Sequence, residues 1–223
     1  MKRPTTAAAS PRGPVSACKS PGKRNVPRSH PVKPSSFFHY CPRCGAKQTT
    51  LTNGAVFHCA ACDYTLHLSA ASATGIFIQR DDGRVLFIVR AKEPAKGKLA
   101  PPGGFIDVGE TAEDGVRREA REEVGVELTD VAFLCSAPNS YLYREVTYPV
   151  LDFYFVARAM DWQAARTSDE VTEIRWLKPE EVETEGLAFS SMQDAWRHWL
   201  AQPICRARGS NPSGDPQLRP RGC

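Results

Sequence analysis

The 223-residue sequence predicts an α/β fold with a small cysteine-built module ahead of it. Three observations carry that expectation. Apolar runs of strand length recur at residues 74–80, 85–91, 131–135, 151–157 and 171–177, the first two joined by the turn Asp81-Asp82-Gly83. Helical patterns lie among them at residues 111–124 and 191–200. Two Cys-x-x-Cys pairs, Cys41/Cys44 and Cys59/Cys62, stand before the first run.

Residues 1–36 carry eight Lys or Arg and no acid, and the first acidic residue of the chain is Asp63. The segment is rich in Pro, Ser and Ala and has almost no large apolar side chain before Phe37. It cannot bury enough surface to offset its ordering entropy, so a disordered basic leader is expected. It lacks the apolar stretch of a secretory signal, and its prolines break the amphipathic helix that an organelle transit peptide needs. Residues 204–223 share this Pro, Gly and Arg character and are expected to form a disordered tail. The net charge of +4 comes from the leader, because the remainder sets 21 basic side chains against 25 acidic ones. An acidic body argues against nucleic acid as a partner. No apolar stretch approaches the roughly 18 residues of a membrane span. Of the eight cysteines, four form the tight pairs and three lie in the end segments, while Cys135 sits in an apolar run. That usage suits a reducing compartment, so a cytoplasmic location is expected.

Each Cys-x-x-Cys pair places two thiolates on one side of a tight turn. Two such pairs, here fourteen residues apart, close a tetrahedron around Zn²⁺. Residues 37–69 are therefore expected to be a zinc ribbon, with Cys41, Cys44, Cys59 and Cys62 as ligands. Gly45 relieves the turn, Phe37, Phe38 and Phe57 supply a small apolar cover, and His58 is surplus to a four-cysteine site. So small a module buries little surface, so the metal supplies its folding energy. A closed four-thiolate sphere leaves no position for catalysis, which makes this zinc structural.

Residues 70–203 form the α/β domain. Residues 92–98 read as a polar loop, and residues 99–106 hold the Pro101-Pro102-Gly103-Gly104 turn. The first helix opens at Thr111, with Asp114 three residues on in a variant of the capping box, and stops at Gly125. Gly115 inside it costs about 1 kcal/mol and signals close packing. The last helix lines up Met192, Ala195, Trp196 and Leu200. The most informative feature is a carboxylate face. Glu119, Glu122 and Glu123 stand at i, i+3 and i+4, beside the apolar stripe Val116, Ala120 and Val124. Like charges so spaced destabilise a helix by roughly 0.2–0.5 kcal/mol per pair. A hard divalent cation reverses that sign, since Mg²⁺ seeks carboxylate and phosphate oxygens together. Arg118 can pair with Glu110 or Glu122 and hold the arrangement, and Gly103-Gly104 allow a tight backbone turn before it.

Gly104, Glu110, Arg118, Glu119, Glu122, Glu123 and Gly125 match, at their spacing, every Gly, Glu and Arg of the Nudix box. With residue frequencies near 7%, a chance match at a given start is about one in a hundred million. Ala120 departs from the larger aliphatic usual there. Residues 96–105 look like the family's lead-in strand and residues 173–177 like its late strand. The chain thus resembles the Nudix hydrolases over residues 70–202. The resemblance implies an α/β/α Nudix sandwich with a mixed sheet. It also implies a hydrolase, dependent on Mg²⁺ (or Mn²⁺), that cuts a pyrophosphate bond. Glu119 and Glu123 become the principal metal ligands, with Glu122 supporting and the Gly104 carbonyl adding a ligand. Glu110 and Arg118 take a structural role. Bound cations neutralise phosphate oxygens and acidify a water, whose proton a further carboxylate takes. Glu170 and Glu173 are the candidates for that base outside the box. Arg90 is a candidate for a substrate phosphate, and Tyr141 or Tyr143 for stacking on a base.

A zinc ribbon before such a domain resembles the NADH-pyrophosphatase group and related FAD or ADP-ribose hydrolases. Of that group's Ser-Gln-Pro-Trp-Pro array after the box, only Ser136 and Pro138 have counterparts here. Pro138 is similar to ADP-ribose hydrolases, and Tyr141 or Tyr143 to diadenosine polyphosphate hydrolases. The leading expectation is cleavage of a nucleoside diphosphate linked to another moiety, of the ADP-ribose, NADH or FAD type. A nucleoside triphosphate or diadenosine polyphosphate hydrolase comes second. A nucleotide-sensing, nucleic-acid-binding module that uses the ribbon comes third, disfavoured by the intact box. The expected partner is a small nucleotide and not a membrane, and a homodimer is compatible with this reading.

Overall fold

The computed structural model describes residues 33–47, 51 and 55–202. The expectations for the leader and the tail lie outside these residues, except at 33–36. There a 3-10 turn runs over Pro34–Phe37, so regular structure begins slightly ahead of residue 37. Among the described residues no helix is long and apolar enough to cross a membrane.

The cysteine module is built on an antiparallel hairpin of β1 (Val56–Cys59) and β2 (Tyr64–His67), paired from Val56↔His67 to Cys59↔Tyr64. Phe57 is fully buried and packs with Cys41, Cys59 and Phe38, its ring 6.0 Å from that of Phe38. Phe37 does not join this cover; it is 58% exposed.

The main sheet has the order β5-β4-β3-β7-β6, with β8 also paired to β4. Its strands are β3 (Ala71–Gln79), β4 (Val85–Arg90), β5 (Leu99–Ala100), β6 (Leu128–Tyr143), β7 (Val146–Ala159) and β8 (Val171–Leu177). β3 and β7 run parallel over Ala71↔Val150 to Gln79↔Arg158, whereas β4–β8 and β6–β7 are antiparallel, so the sheet is mixed. Alternation along the strands assigns the faces. Ile76 and Ile78 of β3, with Leu86 and Ile88 of β4, pack against Val116, Ala120 and Val124 of helix α1 (Ala112–Val124). Phe77, Val85 and Phe87 point the other way, onto Ala195, Trp196 and Trp199 of helix α2 (Ser190–Ala201). With a helix on each face, both kinds of position are buried, which is why these strands read as continuous apolar runs. Each fully buried Phe or Ile contributes about 1.5–3 kcal/mol.

The expected hairpin at residues 81–83 is a turn whose strands separate at once. β3 and β4 share only the pair Gln79↔Val85. The gap that opens is filled by the glycine turn. Thr74 and Ile76 donate their backbone N–H to the carbonyls of Gly104 and Pro102, at 2.8 and 2.9 Å. Gly103 lies so close that a Cβ on it would sit 2.8 Å from Gly75 Cα, and its φ is +150°. Backbone hydrogen bonds to β3 therefore hold the loop before α1. The helix itself opens as expected, with Thr111 accepting from the N–H of Asp114. It ends at Gly125 in the left-handed conformation, φ 69°.

β6 and β7 are far longer than the runs 131–135 and 151–157. They form one hairpin closed by Arg144-Glu145, both at positive φ (46° and 72°). Such two-residue turns usually advertise themselves by Gly or Asn. Pro138 interrupts the sequence pattern, but it sits on an edge strand, where a missing N–H costs no ladder bond. Gly75 pairs with Tyr154, and a Cβ there would fall 2.6 Å from Tyr154 Cε1, so its absence lets the tyrosine ring lie flat over β3.

Candidate active site

Helix α1 and the glycine turn together build a carboxylate cluster. Arg118 is its organiser. It donates to Glu110 at 2.9 and 3.0 Å, to Glu119 at 2.7 Å, to Glu122 at 3.0 Å and to the Phe105 carbonyl at 2.9 Å. Glu110 also accepts from the Asp107 N–H, and Gly115 leaves it room: a Cβ there would lie 3.2 Å from Glu110 Oε2. The Arg118 hydrogen bonds and that N–H hold the Glu110 carboxyl below its ordinary range. This is the structural pair expected from the sequence.

Glu119 and Glu123 differ from it. Burial raises the Glu119 carboxyl, and Arg118 offsets only part of that effect. Glu123 is 8% exposed and accepts from the Gly103 N–H at 2.8 Å. Burial pushes its carboxyl up to about 8, against the lowering by that N–H, with Glu119 and Glu170 nearby adding to the rise. Two carboxylates that resist ionisation side by side are what a divalent cation relieves. Mg²⁺ typically keeps several waters and takes only one or two carboxylates plus phosphate oxygens. Glu119 and Glu123 fit that demand. Glu122 is exposed and held on Arg118 at 3.0 Å. The Gly104 carbonyl accepts from the Thr74 N–H at 2.8 Å and, at 3.5 Å, from the Thr74 hydroxyl.

Gly104, Arg118, Glu119 and Glu123 line a cleft of about 360 Å³; Glu110 and Glu122 are not part of its lining. Arg90 stands in its wall, donating to the Pro94 carbonyl at 3.0 Å, with its guanidinium 5.2 Å from the Phe189 ring centre. Glu170 also lines the cleft, bound to Lys92 at 2.7 Å. Glu173 is not brought there. It forms a two-pronged pair with Arg175, at 2.9 and 2.7 Å, on the exposed side of β8. The tyrosines divide in the same way. Tyr141 lines the cleft between Phe105 and Phe189, at ring separations of 5.6 and 5.9 Å. Tyr143 is exposed near the hairpin tip, beside Arg144.

Sequence reasoning missed a further part of the cleft lining. Asp152 on β7 is 7% exposed, yet it lines the cavity. It accepts from Ser191 at 2.6 Å, Asn139 at 2.9 Å and Tyr154 at 3.4 Å. Burial raises its carboxyl, and those hydrogen bonds oppose the rise. The only sequence signal was a lone acid inside the apolar run of residues 151–157.

In the cysteine module, the Sγ atoms of Cys41, Cys44, Cys59 and Cys62 all lie within 4.8 Å of one another. Cys41–Cys62 stand at 3.7 Å and Cys44–Cys59 at 3.6 Å, hydrogen-bond and not disulfide separations. Burial raises the Cys59 thiol, but hydrogen bonds from the Cys62 and Ala61 backbone and from neighbouring thiols outweigh it and bring it to about 6. Four convergent sulfurs with one already acidic fit a tetrahedral soft cation. His58 turns away to Thr65 and Asp63.

Comparison with known proteins agrees with this geometry. Residues 70–199 match the NUDIX domain family. The chain is 30% identical over 102 residues to the NAD-capped RNA hydrolase NudC of Vibrio atlanticus (strain LGP32), a match covering 46% of this chain and 37% of that one. It is 44% identical over 63 residues to an ADP-ribose pyrophosphatase of Methanocaldococcus jannaschii, covering 28% and 37%. The chain thus spans less than half the length of these two curated relatives. A NUDIX hydrolase from Nitrosomonas europaea, known from its crystal structure, shares the fold with a TM-score of 0.53 at 22% identity, over 70% of this chain and 86% of that one. The family match takes in α1 with its carboxylates, every strand of the main sheet and most of α2, so the chain belongs to the NUDIX domain family.

Proposed function

We propose that this chain hydrolyses the pyrophosphate bond of a nucleoside diphosphate linked to a further group, ADP-ribose being the first candidate. Mg²⁺ or Mn²⁺ would be held by Glu119 and Glu123. The observation that carries this reading is the placement of those two carboxylates in one cleft with Arg90 and Glu170. A divalent ion there supplies neutralisation of phosphate oxygens and a water of lowered pKa. The remaining work falls to the chain. The Gly103 N–H fixes Glu123, and Arg118 fixes Glu119 and Glu122. Arg90 offers a guanidinium to a phosphate in the cleft. Glu170 is the one base candidate of the two that faces this space, and it would take the proton of the attacking water. The names of two relatives, one for ADP-ribose and one for NAD-capped RNA, support a dinucleotide-like pyrophosphate. We also propose that Cys41, Cys44, Cys59 and Cys62 hold one structural zinc, and that this paired cysteine usage suits a reducing compartment such as the cytoplasm.

The test is a panel of ADP-ribose, NADH, FAD, nucleoside triphosphates and diadenosine polyphosphates, with Mg²⁺ or Mn²⁺, in ¹⁸O-labelled water. Turnover of ADP-ribose to AMP and ribose 5-phosphate, with one labelled oxygen in a single phosphate product, is expected. Preference for triphosphates or diadenosine polyphosphates would move the assignment to the second class. No turnover of any member would overturn it in favour of a nucleotide-binding module.

A further inference from the structure

Every hydrogen bond to Asp152 falls on the same atom. Ser191 Oγ and Asn139 Nδ2 donate to Oδ2, the Tyr154 OH donates to Ser191 Oγ at 3.0 Å and lies 3.4 Å from that same Oδ2, and Oδ1 has no partner among the described residues. The side chain is more than nine-tenths buried, yet it belongs to the cleft lining. Among the described residues the fully enclosed polar side-chain atoms without a partner are Arg80 Nε, Trp196 Nε1 and Trp199 Nε1, so Asp152 Oδ1 is not sealed off but opens to the cleft, where a ligand donor can reach it. Asn139 has a fixed orientation beside it. Its Oδ1 accepts from the Ser140 N–H at 2.8 Å, so its NH₂ group faces Asp152, and one of those two hydrogens remains unused. The cleft lining therefore presents one open acceptor next to one open donor.

What could meet this pair follows from charge. A phosphate cannot rest against a bare carboxylate, so the phosphates belong beside Glu119 and Glu123, with Arg90 and a cation. The group at Asp152 must be neutral and must carry an N–H or O–H donor. The same cleft is lined by Tyr141, Phe189 and Met192, aromatic and polarisable surfaces suited to a planar ring. We infer that Asp152 and Asn139 read the hydrogen-bonding edge of the substrate's nucleobase, with Asp152 Oδ1 accepting a base N–H and the Asn139 amide donating to a ring nitrogen. This rests on the pyrophosphatase reading above and adds a specificity-determining pair to it. Adenine, with an amino donor beside a ring-nitrogen acceptor, satisfies both atoms.

The experiment compares ADP-ribose with its analogue carrying unsubstituted purine in place of adenine, which lacks the amino donor. For the wild-type protein, kcat/KM should fall about ten- to a hundredfold on the analogue, chiefly through KM, the range expected when one hydrogen bond to a charged group is lost. Asp152→Asn should weaken use of ADP-ribose and reduce the discrimination to within about threefold. Asn139→Ala, which leaves the buried acid in place, should reduce it in part and serves should Asp152→Asn fold poorly. Equal use of both compounds by the wild type would overturn the inference while leaving the hydrolase assignment intact. So would discrimination that survives in Asp152→Asn, or discrimination that instead follows removal of a ribose hydroxyl. Turnover of neither compound would overturn both readings.

Discussion

The carboxylate of Glu119 occupies the space where a side chain on Gly104 would begin: a Cβ there would lie 2.7 Å from Glu119 Cδ and 3.0 Å from its Oε2. Gly104 itself is not in a left-handed conformation, so the constraint is steric. Glu119 is the flexible end of a side chain and can swing away at little cost to the fold. Gly104→Ala should therefore lower kcat by at least about a hundredfold, equivalent to some 2.7 kcal/mol at 1.36 kcal/mol per decade. The unfolding temperature should move by only a few degrees. A large loss of stability with kcat retained would contradict this account.

Glu123→Gln should separate stability from activity. In the metal-free protein burial raises the Glu123 carboxyl to about 8, whereas in the unfolded chain it titrates near the ordinary 4.5. The folded state therefore holds this proton over a range where the unfolded state has released it. This group's contribution to stability is highest below pH 4.5 and is lost as pH rises through 8, by on the order of a few kcal/mol. Gln keeps an acceptor for the Gly103 N–H without the charge. Thermal unfolding of protein dialysed free of Mg²⁺ should show Glu123→Gln more stable than wild type at pH 8 and the gap closing towards pH 5. On the best substrate its kcat should fall by several orders of magnitude. Parallel pH curves for the two proteins would count against the buried acid.

Arg118→Lys should not rescue the site. Arg118 spends its planar fork on Glu110, Glu119, Glu122 and a backbone carbonyl. A lysine ammonium has three donors on one atom and cannot span them. Both Arg118→Lys and Arg118→Ala should lose at least tenfold in kcat, with a lower melting temperature as Glu110 loses its partner. Wild-type kinetics for Arg118→Lys would mean that charge alone suffices.

Glu170 and Glu173 should behave differently although only two residues separate them. Glu170→Gln should lower kcat by ten- to a thousandfold, in the range of a lost general base, and change the acid limb of the pH–rate profile. Glu173→Gln, which removes a surface pair with Arg175, should stay within about twofold. If the two variants rank the other way, the base lies on the exposed side of β8.

Zinc should be independent of the chemistry. Purified protein should carry one zinc per chain under reducing conditions, and Cys44→Ser should lose it with the main sheet still folded, as read by circular dichroism and elemental analysis. Added Mg²⁺ should then still support turnover. Protein without zinc that keeps the same stability in the ribbon would mean that the four thiols are not a metal site.

The parts of this molecule that were legible beforehand share a physical cause. Helix α1 announced itself through a cap at Thr111, a stop at Gly125 and a charged face that is unfavourable without a cation, all within one short window. The cysteines did so through spacing alone. The hairpin of β6 and β7 did not, because Arg144-Glu145 reaches positive φ without Gly or Asn and Pro138 looks like a breaker until its edge position is known. That error hid Asp152 as well. A shorter β7 gives no reason to pair it with Asn139 across the hairpin or with Ser191 from α2, since these contacts span thirteen and thirty-nine residues of sequence. Glu173 lies outside the cleft lining, paired with its strand neighbour Arg175, and no sequence rule distinguishes that pair from a base facing a substrate.

Two parts of the cleft lining come from different stretches of chain. The proposed metal-holding part is drawn almost wholly from residues 103–123, in a loop pinned to β3 and the helix that follows it. The part around Asp152 is assembled from β6, β7 and the first turn of α2. Selection can therefore act on one without disturbing the other. Substitutions at Asn139, Tyr141, Phe189 or Met192 would leave Glu119 and Glu123, the proposed holders of the cation, in place, so on the proposed function a lineage carrying this scaffold could change what it digests while keeping how it digests. A combinatorial library at those four positions, screened on unrelated pyrophosphates, starts from an intact reaction centre.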